Sequence, residues 1–375
     1  MRIFTTILLL CGLILPSSLH AAPTAHDSTE WDLQPSLTFD ALCLLNTLSA
    51  DSFYLTYYQK DYDELSPKLT PAAKTALANI RHVVKDEQHG IISAGLCLYL
   101  SAVNDTTLDQ LIATVDHPEA MQTALKLTPY YDETQWQGFI GLHADLRTVF
   151  LWMKETGFEA YWRATILPKV EHRFADIRKD LPKYNVIRED ESLLGAPLPS
   201  NRITVYMLYY CMPHGIKIVG TRFLSDAHYP FDIVVRNSAH EMMHPPFDLA
   251  GDSALVSALN TLKQDSFLMG KVEHHNPDFG YNDFNGFIEE DCVQALEQVA
   301  NRAMDIANEP RQRWTESDDG MHVFAVALYS VMVAEKYNAN HERFGAFLTR
   351  MILSGRLGPG KIKGLYDAFY AIKPE

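Results

Sequence analysis

After residue 22 the chain lacks any apolar run long enough to span a bilayer. The best stretch, Val323 to Ala334, is interrupted by Tyr329 and Ser330, and a spanning helix needs about 20 predominantly apolar residues. A stable membrane anchor is therefore not expected. The chain also lacks a Gly-rich phosphate loop, a GxSxG elbow and any CxxC pair. Phosphate-cradling, serine-hydrolase, thiolate-zinc and thioredoxin-like chemistries are left without support. Positive charge is scarce too: 32 Lys and Arg face 47 Asp and Glu, for a net charge of −15. Such a surface repels a phosphate backbone, and no basic patch is interleaved with aromatics, so nucleic acid is not an expected partner. With 19 Gly and 19 Pro in 375 residues there is no collagenous or low-complexity bias. The 47% hydrophobic content is that of a folded globular protein.

Residues 1–22 read as a secretory leader. Arg2 supplies a positive start, Ile7 to Leu15 a short apolar core, Pro16-Ser17-Ser18 a break, and Ala21-Ala22 small residues for cleavage. Leu10 stands before Cys11 where a lipoprotein signal needs a small residue, so a lipid anchor is not indicated. The mature protein is expected to be exported, to a periplasm or the medium. Its four cysteines, Cys43, Cys97, Cys211 and Cys292, allow one or two disulfides in an oxidising compartment, with three ways of pairing all four. Cys43 and Cys97 sit in helix-like apolar stretches where plain buried thiols fit equally well.

Residues 23–190 read as a helical N-terminal domain. Thr70-Pro71 opens a helix through Ala76, Leu77, Ile80 and Val83, since Pro in a first turn sacrifices no hydrogen bond. His117-Pro118-Glu119 opens another, and Leu142 to Met153 and Phe158 to Ile177 repeat the helical spacing. The charged, Pro-containing stretch 188–202 reads as a domain boundary or a long loop. Beyond it, within 191–375, Ile203 to Cys211 and Gly215 to Leu224 are rich in β-branched and aromatic residues. Met212-Pro213-His214 lies between them as a turn, which predicts a β-hairpin. Helices follow at about 230–244, 252–269, 287–308, 320–337 and 340–354. The fold class is α+β, predominantly helical, with a small β-hairpin or sheet ahead of the helix that carries the chemistry.

That helix contains His240-Glu241-Met242-Met243-His244, an HExxH motif. Residues i and i+4 share a helix face, so His240 and His244 present two imidazoles to one metal ion. Glu241 follows the first ligand and stands beside a water on that metal. There a carboxylate acts as general base once zinc has brought the water's pKa toward about 7. Pro245 and Pro246 end the helix after both ligands. No HExxHxxGxxH extension exists, because Phe247 follows and no His lies near 250. The third ligand is thus sought on a later helix, with Asp248 the poorer choice after two prolines.

Gly286 to Leu296 (GFIEEDCVQAL) opens such a helix. Over roughly residues 203–308 the chain resembles the gluzincin group of zinc metallopeptidases, in which a Glu on a second helix completes the site begun by HExxH. The resemblance implies a zincin-like domain over 191–375 with Zn2+ held by His240, His244 and either Glu290 or Glu289, Glu290 being preferred, and Glu241 as general base. A peptide or protein would be the substrate. Between the helices, residues 273–286 are rich in His, Asn, Asp, Gly and aromatics, and His274, His275 and Tyr281 are candidates to donate to a developing oxyanion. The strand at 215–224 is a candidate edge for holding extended peptide. A non-catalytic exported protein that keeps a zincin-like fold to bind a metal or ligand is the competing expectation, and stoichiometric zinc without turnover would favour it.

Overall fold

The computed structural model describes residues 26–337 and 342–371, and the expected leader at 1–22 lies outside them. Four strands form one sheet: β1 (Glu30–Gln34), β2 (Arg202–Leu208), β3 (Gly215–Ile218) and β4 (Arg222–Asp226), in the order β1-β2-β4-β3. β1 and β4 flank β2 in parallel, with Leu33 and Phe223 both opposite Val205, while β3 forms an edge antiparallel to β4. The expected hairpin is thereby corrected. Ile203–Cys211 does not fold back on 215–224; the second segment itself turns at Val219-Gly220-Thr221, where Gly220 takes φ +81°. A left-handed position suits Gly, but Gly220 is embedded in one β-rich run, so the sequence alone reads as continuous strand there.

β1 comes from the first half of the chain and the other strands from the second, so the sheet joins the two. The helix α1 (Leu37–Leu48) strengthens the junction. Ser36 caps it by accepting from the Phe39 amide, and all twelve of its residues are buried; each large apolar side chain buried this way contributes about 1.5–3 kcal/mol. Asp40 on α1 accepts from the amides of Tyr209 and Tyr210 and from the Trp162 indole. Tyr58 donates its hydroxyl to the Tyr209 carbonyl and accepts from the Met212 amide. The end of β2 is therefore tied to the N-terminal helices, and one hydrophobic core runs through both halves.

The expected helix start at Thr70-Pro71 is observed, with the Thr70 hydroxyl accepting from the Ala73 amide. Residues 252–269 form two helices, Ser253–Leu262 and Ser266–His274, because Asp265 caps the second one. Four further helices position the site: α2 (Val186–Leu194), α3 (Phe231–Met242), α4 (Phe284–Ala303) and α5 (Val323–Glu335). α3 packs against β3 and β4 and also against α2 and α4, and α4 packs against α5. None of the helices among the described residues is long and apolar enough to cross a membrane. Cys43, Cys97, Cys211 and Cys292 are all buried free thiols, so the structure holds none of the disulfides considered above. Cys43 lies within hydrogen-bonding reach of both Cys97 and Cys211.

Candidate metal centre

α3 turns Val234, Val235, Ala239 and Met242 into the core, which leaves His240 on the face toward α4. The helix ends at Met242, two residues before His244. A residue preceding proline is disfavoured in the α region, and Pro245 follows His244. The second histidine nevertheless keeps its place: its Nε2 lies 3.1 Å from Nε2 of His240. From α4, Glu290 brings its Oε2 to 3.5 Å from the first nitrogen and 3.4 Å from the second. Among the described residues these three form the one cluster able to hold a metal ion. A tetrahedral cation bound at the usual zinc distances of about 2.0–2.1 Å requires ligand separations of about 3.3 Å. The three measured edges fit that requirement.

The other ring nitrogens fix the tautomers. Nδ1 of His240 lies 3.2 Å from Glu297 Oε2, and Nδ1 of His244 lies 3.2 Å from Glu289 Oε1. Each Nδ1–H donates to a carboxylate, the arrangement that orients metal-binding imidazoles. In the neutral rings both Nε2 atoms then carry lone pairs. They converge on Glu290 Oε2, which is buried and accepts no well-formed hydrogen bond. Three lone pairs within 3.5 Å of one another repel unless positive charge lies among them. Without a cation, protons on the rings supply that charge. Burial works against protonation of both rings, yet Glu290 and Glu297 raise His240 well above its ordinary pKa, and Glu289 and Glu290 raise His244. Glu290 is driven well below the carboxylate range despite its burial.

α4 also braces Glu290. Gln294, one turn on, donates to Glu290 Oε1 at 3.0 Å and accepts from the Trp314 indole. The neighbouring Asp291 accepts from the amides of Phe324 and Ala325 at the start of α5 and pairs with His322 Nδ1 at 2.7 Å. His322 Nε2 reaches Asp318 at 2.9 Å. Burial pulls the His322 pKa down, but the two aspartates overcome this and lift it to about 10.

Glu241 points from α3 toward the edge strand. A Cβ at Gly215 of β3 would stand 3.1 Å from Glu241 Oε1 and from Asn237 Nδ2, so the absent side chain makes the room that the carboxylate occupies. Burial raises the Glu241 pKa, with His240, His244 and Lys217 acting oppositely. A base shifted toward neutrality is the better proton carrier. Lys217, two residues along β3 from Gly215, is brought down to about 8 by burial, against the charges of Glu241 and Asp190.

The loop candidates separate. Tyr281 follows Gly280, the two at φ +57° and +83°, and the residue as a whole is 37% exposed. Its hydroxyl is nonetheless desolvated beside Glu290 and Glu241, and this holds the phenol in its protonated form well above the usual range. His275 is committed elsewhere: Nδ1 lies 3.0 Å from the Lys271 carbonyl and Nε2 2.9 Å from the Gly280 carbonyl. The expected donor role for His275 is therefore replaced by that of a strut holding the turn that carries Tyr281. His274 is exposed at its helix end, and Asp248 is occupied by the amides of Ala250 and Gly251. Glu289, considered as a ligand, is the outer partner of His244.

Several residues of the centre lay outside the motif reading. Glu297 sits seven residues after Glu290, two helical turns along the same face of α4, a spacing that was available in the sequence. Lys217 and Tyr130 had no such signal. The Tyr130 hydroxyl donates to the His244 carbonyl at 2.9 Å, so the N-terminal half reaches the site through a loop distant in sequence. Comparisons of the chain with protein-family models, curated proteins and solved structures yield no match.

Proposed function

We propose that the protein is an exported zinc-dependent peptidase of gluzincin type. The observation that supports this most directly is the convergence of two imidazole Nε2 atoms and one orphaned carboxylate oxygen at separations of 3.1–3.5 Å. His240, His244 and Glu290 would hold the ion; when bound it supplies a Lewis acid and lowers the pKa of water that reaches it. The remaining roles belong to the chain itself. Glu241, buried and facing the Gly215 gap, takes a proton from the attacking water at its carboxylate and delivers it to the leaving nitrogen. Tyr281, protonated at every physiological pH, donates its O–H to the oxygen on which negative charge develops. β3 offers a sheet edge beside Glu241 for an extended peptide.

The test is Glu241→Gln, a replacement of equal size. Elemental analysis should find one zinc per chain in both proteins, while cleavage of a mixed peptide library falls by about 10²–10⁴-fold, the usual worth of a positioned general base. Cleavage that survives Glu241→Gln excludes the mechanism. Zinc without cleavage by the wild-type protein shifts the reading to a metal-binding protein.

A further inference from the structure

A pocket of about 350 Å³ adjoins the metal centre and shares His244 with it, a size within the range of small-ligand sites. Its walls are mostly apolar. Pro129 and Tyr130 form the side contributed by the N-terminal half, Met242 and Pro245 the side beneath the motif, and Val219 continues the wall along the sheet edge. Leu127 stands at the same pocket 87% exposed, a large apolar side chain in water where a ligand would cover it. Lys217 is the one lysine or arginine that lines this space. Its ammonium donates to the Gly220 carbonyl at 2.9 Å and makes no ion pair among the described residues. Glu241 and Asp190 act on this ammonium only from beyond ion-pair distance, so an ammonium partly withdrawn from water beside apolar walls gains from a carboxylate that reaches it directly.

We infer that this pocket selects the substrate, admitting an apolar residue that carries a carboxylate, with the carboxylate paired to Lys217. The inference rests on the peptidase reading, because the pocket opens beside the reacting groups rather than at a separate site. A carboxylate of this kind has two sources: the α-carboxylate of a peptide ending in an apolar residue, or an acidic side chain next to an apolar one. Lys217 recognises either, and the position of the cleaved bond tells them apart.

Binding comes first, on protein stripped of metal so that a carboxylate cannot be captured by the ion. N-acetyl-leucine should bind by calorimetry about 10- to 100-fold more tightly than N-acetyl-leucinamide, the usual worth of a hydrogen bond to a charged group. Lys217→Met should erase that preference and Lys217→Arg should restore most of it. Equal binding of acid and amide by the wild-type protein, or a preference that survives Lys217→Met with the variant folded by circular dichroism, overturns the assignment. On the zinc-loaded enzyme, kcat/KM is then compared for a peptide ending in free leucine, its amide, and an amidated peptide with an internal Glu-Leu pair. Preference for the free terminus, lost in Lys217→Met, assigns the α-carboxylate; preference for the internal Glu assigns the side chain. If no peptide is cleaved while the acid-over-amide preference holds, the peptidase reading fails and the carboxylate pocket stands.

Discussion

The two histidines of the centre are supported by carboxylates at the same distance but in different surroundings. Glu297, behind His240, is 6% exposed and is held by the Arg313 guanidinium and, at Oε1, by Asn301 Nδ2 at 2.8 Å. Glu289, beside His244, is 34% exposed on its side chain and has His244 as its ion-pair partner. One imidazole is thus fixed by a dry network anchored in α4 and the Arg313 segment; the other leans on a carboxylate that water can screen. His244 also lies past the end of its helix, whereas His240 lies within it. The inner half of the site is built to hold geometry, and on the proposed peptidase reading the outer half is the one able to adjust to a substrate.

Glu297→Gln should therefore produce the larger loss. Removing this charge leaves Arg313, 13% exposed, without its carboxylate, and breaking a buried pair typically destabilises by about 3–5 kcal/mol. It also releases the His240 ring, and loss of such an outer partner lowers metal affinity by about 10–100-fold. Competition with a chromophoric chelator measures the affinity, and thermal unfolding of the metal-free protein measures the stability. Unchanged stability with unchanged affinity would erase the distinction between inner and outer support.

His322 extends the buried side and adds a pH signature. Its folded pKa of about 10 lies above the ordinary 6.5, so the protonated ring is stabilised by Asp291 and Asp318. That contribution is complete below about 6.5 and drains away as pH climbs toward 10. Wild-type thermal stability should decline across this window, and His322→Gln should be less stable at pH 6 yet flatter from 6.5 to 10. Parallel profiles for the two proteins would show that the ring does not carry the charge.

How much of this could be read in the sequence follows from how local each signal is. HExxH is a spacing rule within one turn, so the pairing of His240 with His244 is legible, and the acidic opening of α4 narrows the carboxylate that meets them to two neighbours. Choosing between Glu289 and Glu290 needs the rotation of α4 against α3, which packing sets. The parallel pairing of β2 with β4 is a non-local contact, and the β-rich run from 215 to 224 carried no mark of a turn beyond Gly220. Tyr130 and Lys217 reach the site only because the N-terminal helices and the sheet share one core. His275 carries the right chemistry for a donor, yet two backbone carbonyls claim its nitrogens, and composition alone cannot reveal that.

Glu289→Gln is the mild counterpart of the Glu297 change. An amide oxygen still accepts from His244 Nδ1–H, so the tautomer survives and only the charge is lost. Because that charge is partly in water, its attraction for a protonated or metal-bound ring is screened, and pairs of this exposure are worth about 0–1 kcal/mol. Metal affinity should fall by less than about 10-fold, with thermal stability within about 0.5 kcal/mol of wild type. The small effect should shrink further as salt is raised, since screening already weakens the pair, whereas the Glu297→Gln loss should change little with salt. Measuring both variants at 0.05 M and 0.5 M sodium chloride places the two carboxylates on one scale. A Glu289→Gln loss as large and as salt-insensitive as that of Glu297→Gln would mean that the outer pair is as dry as the inner one when metal is bound, and that entry of a substrate does not loosen His244.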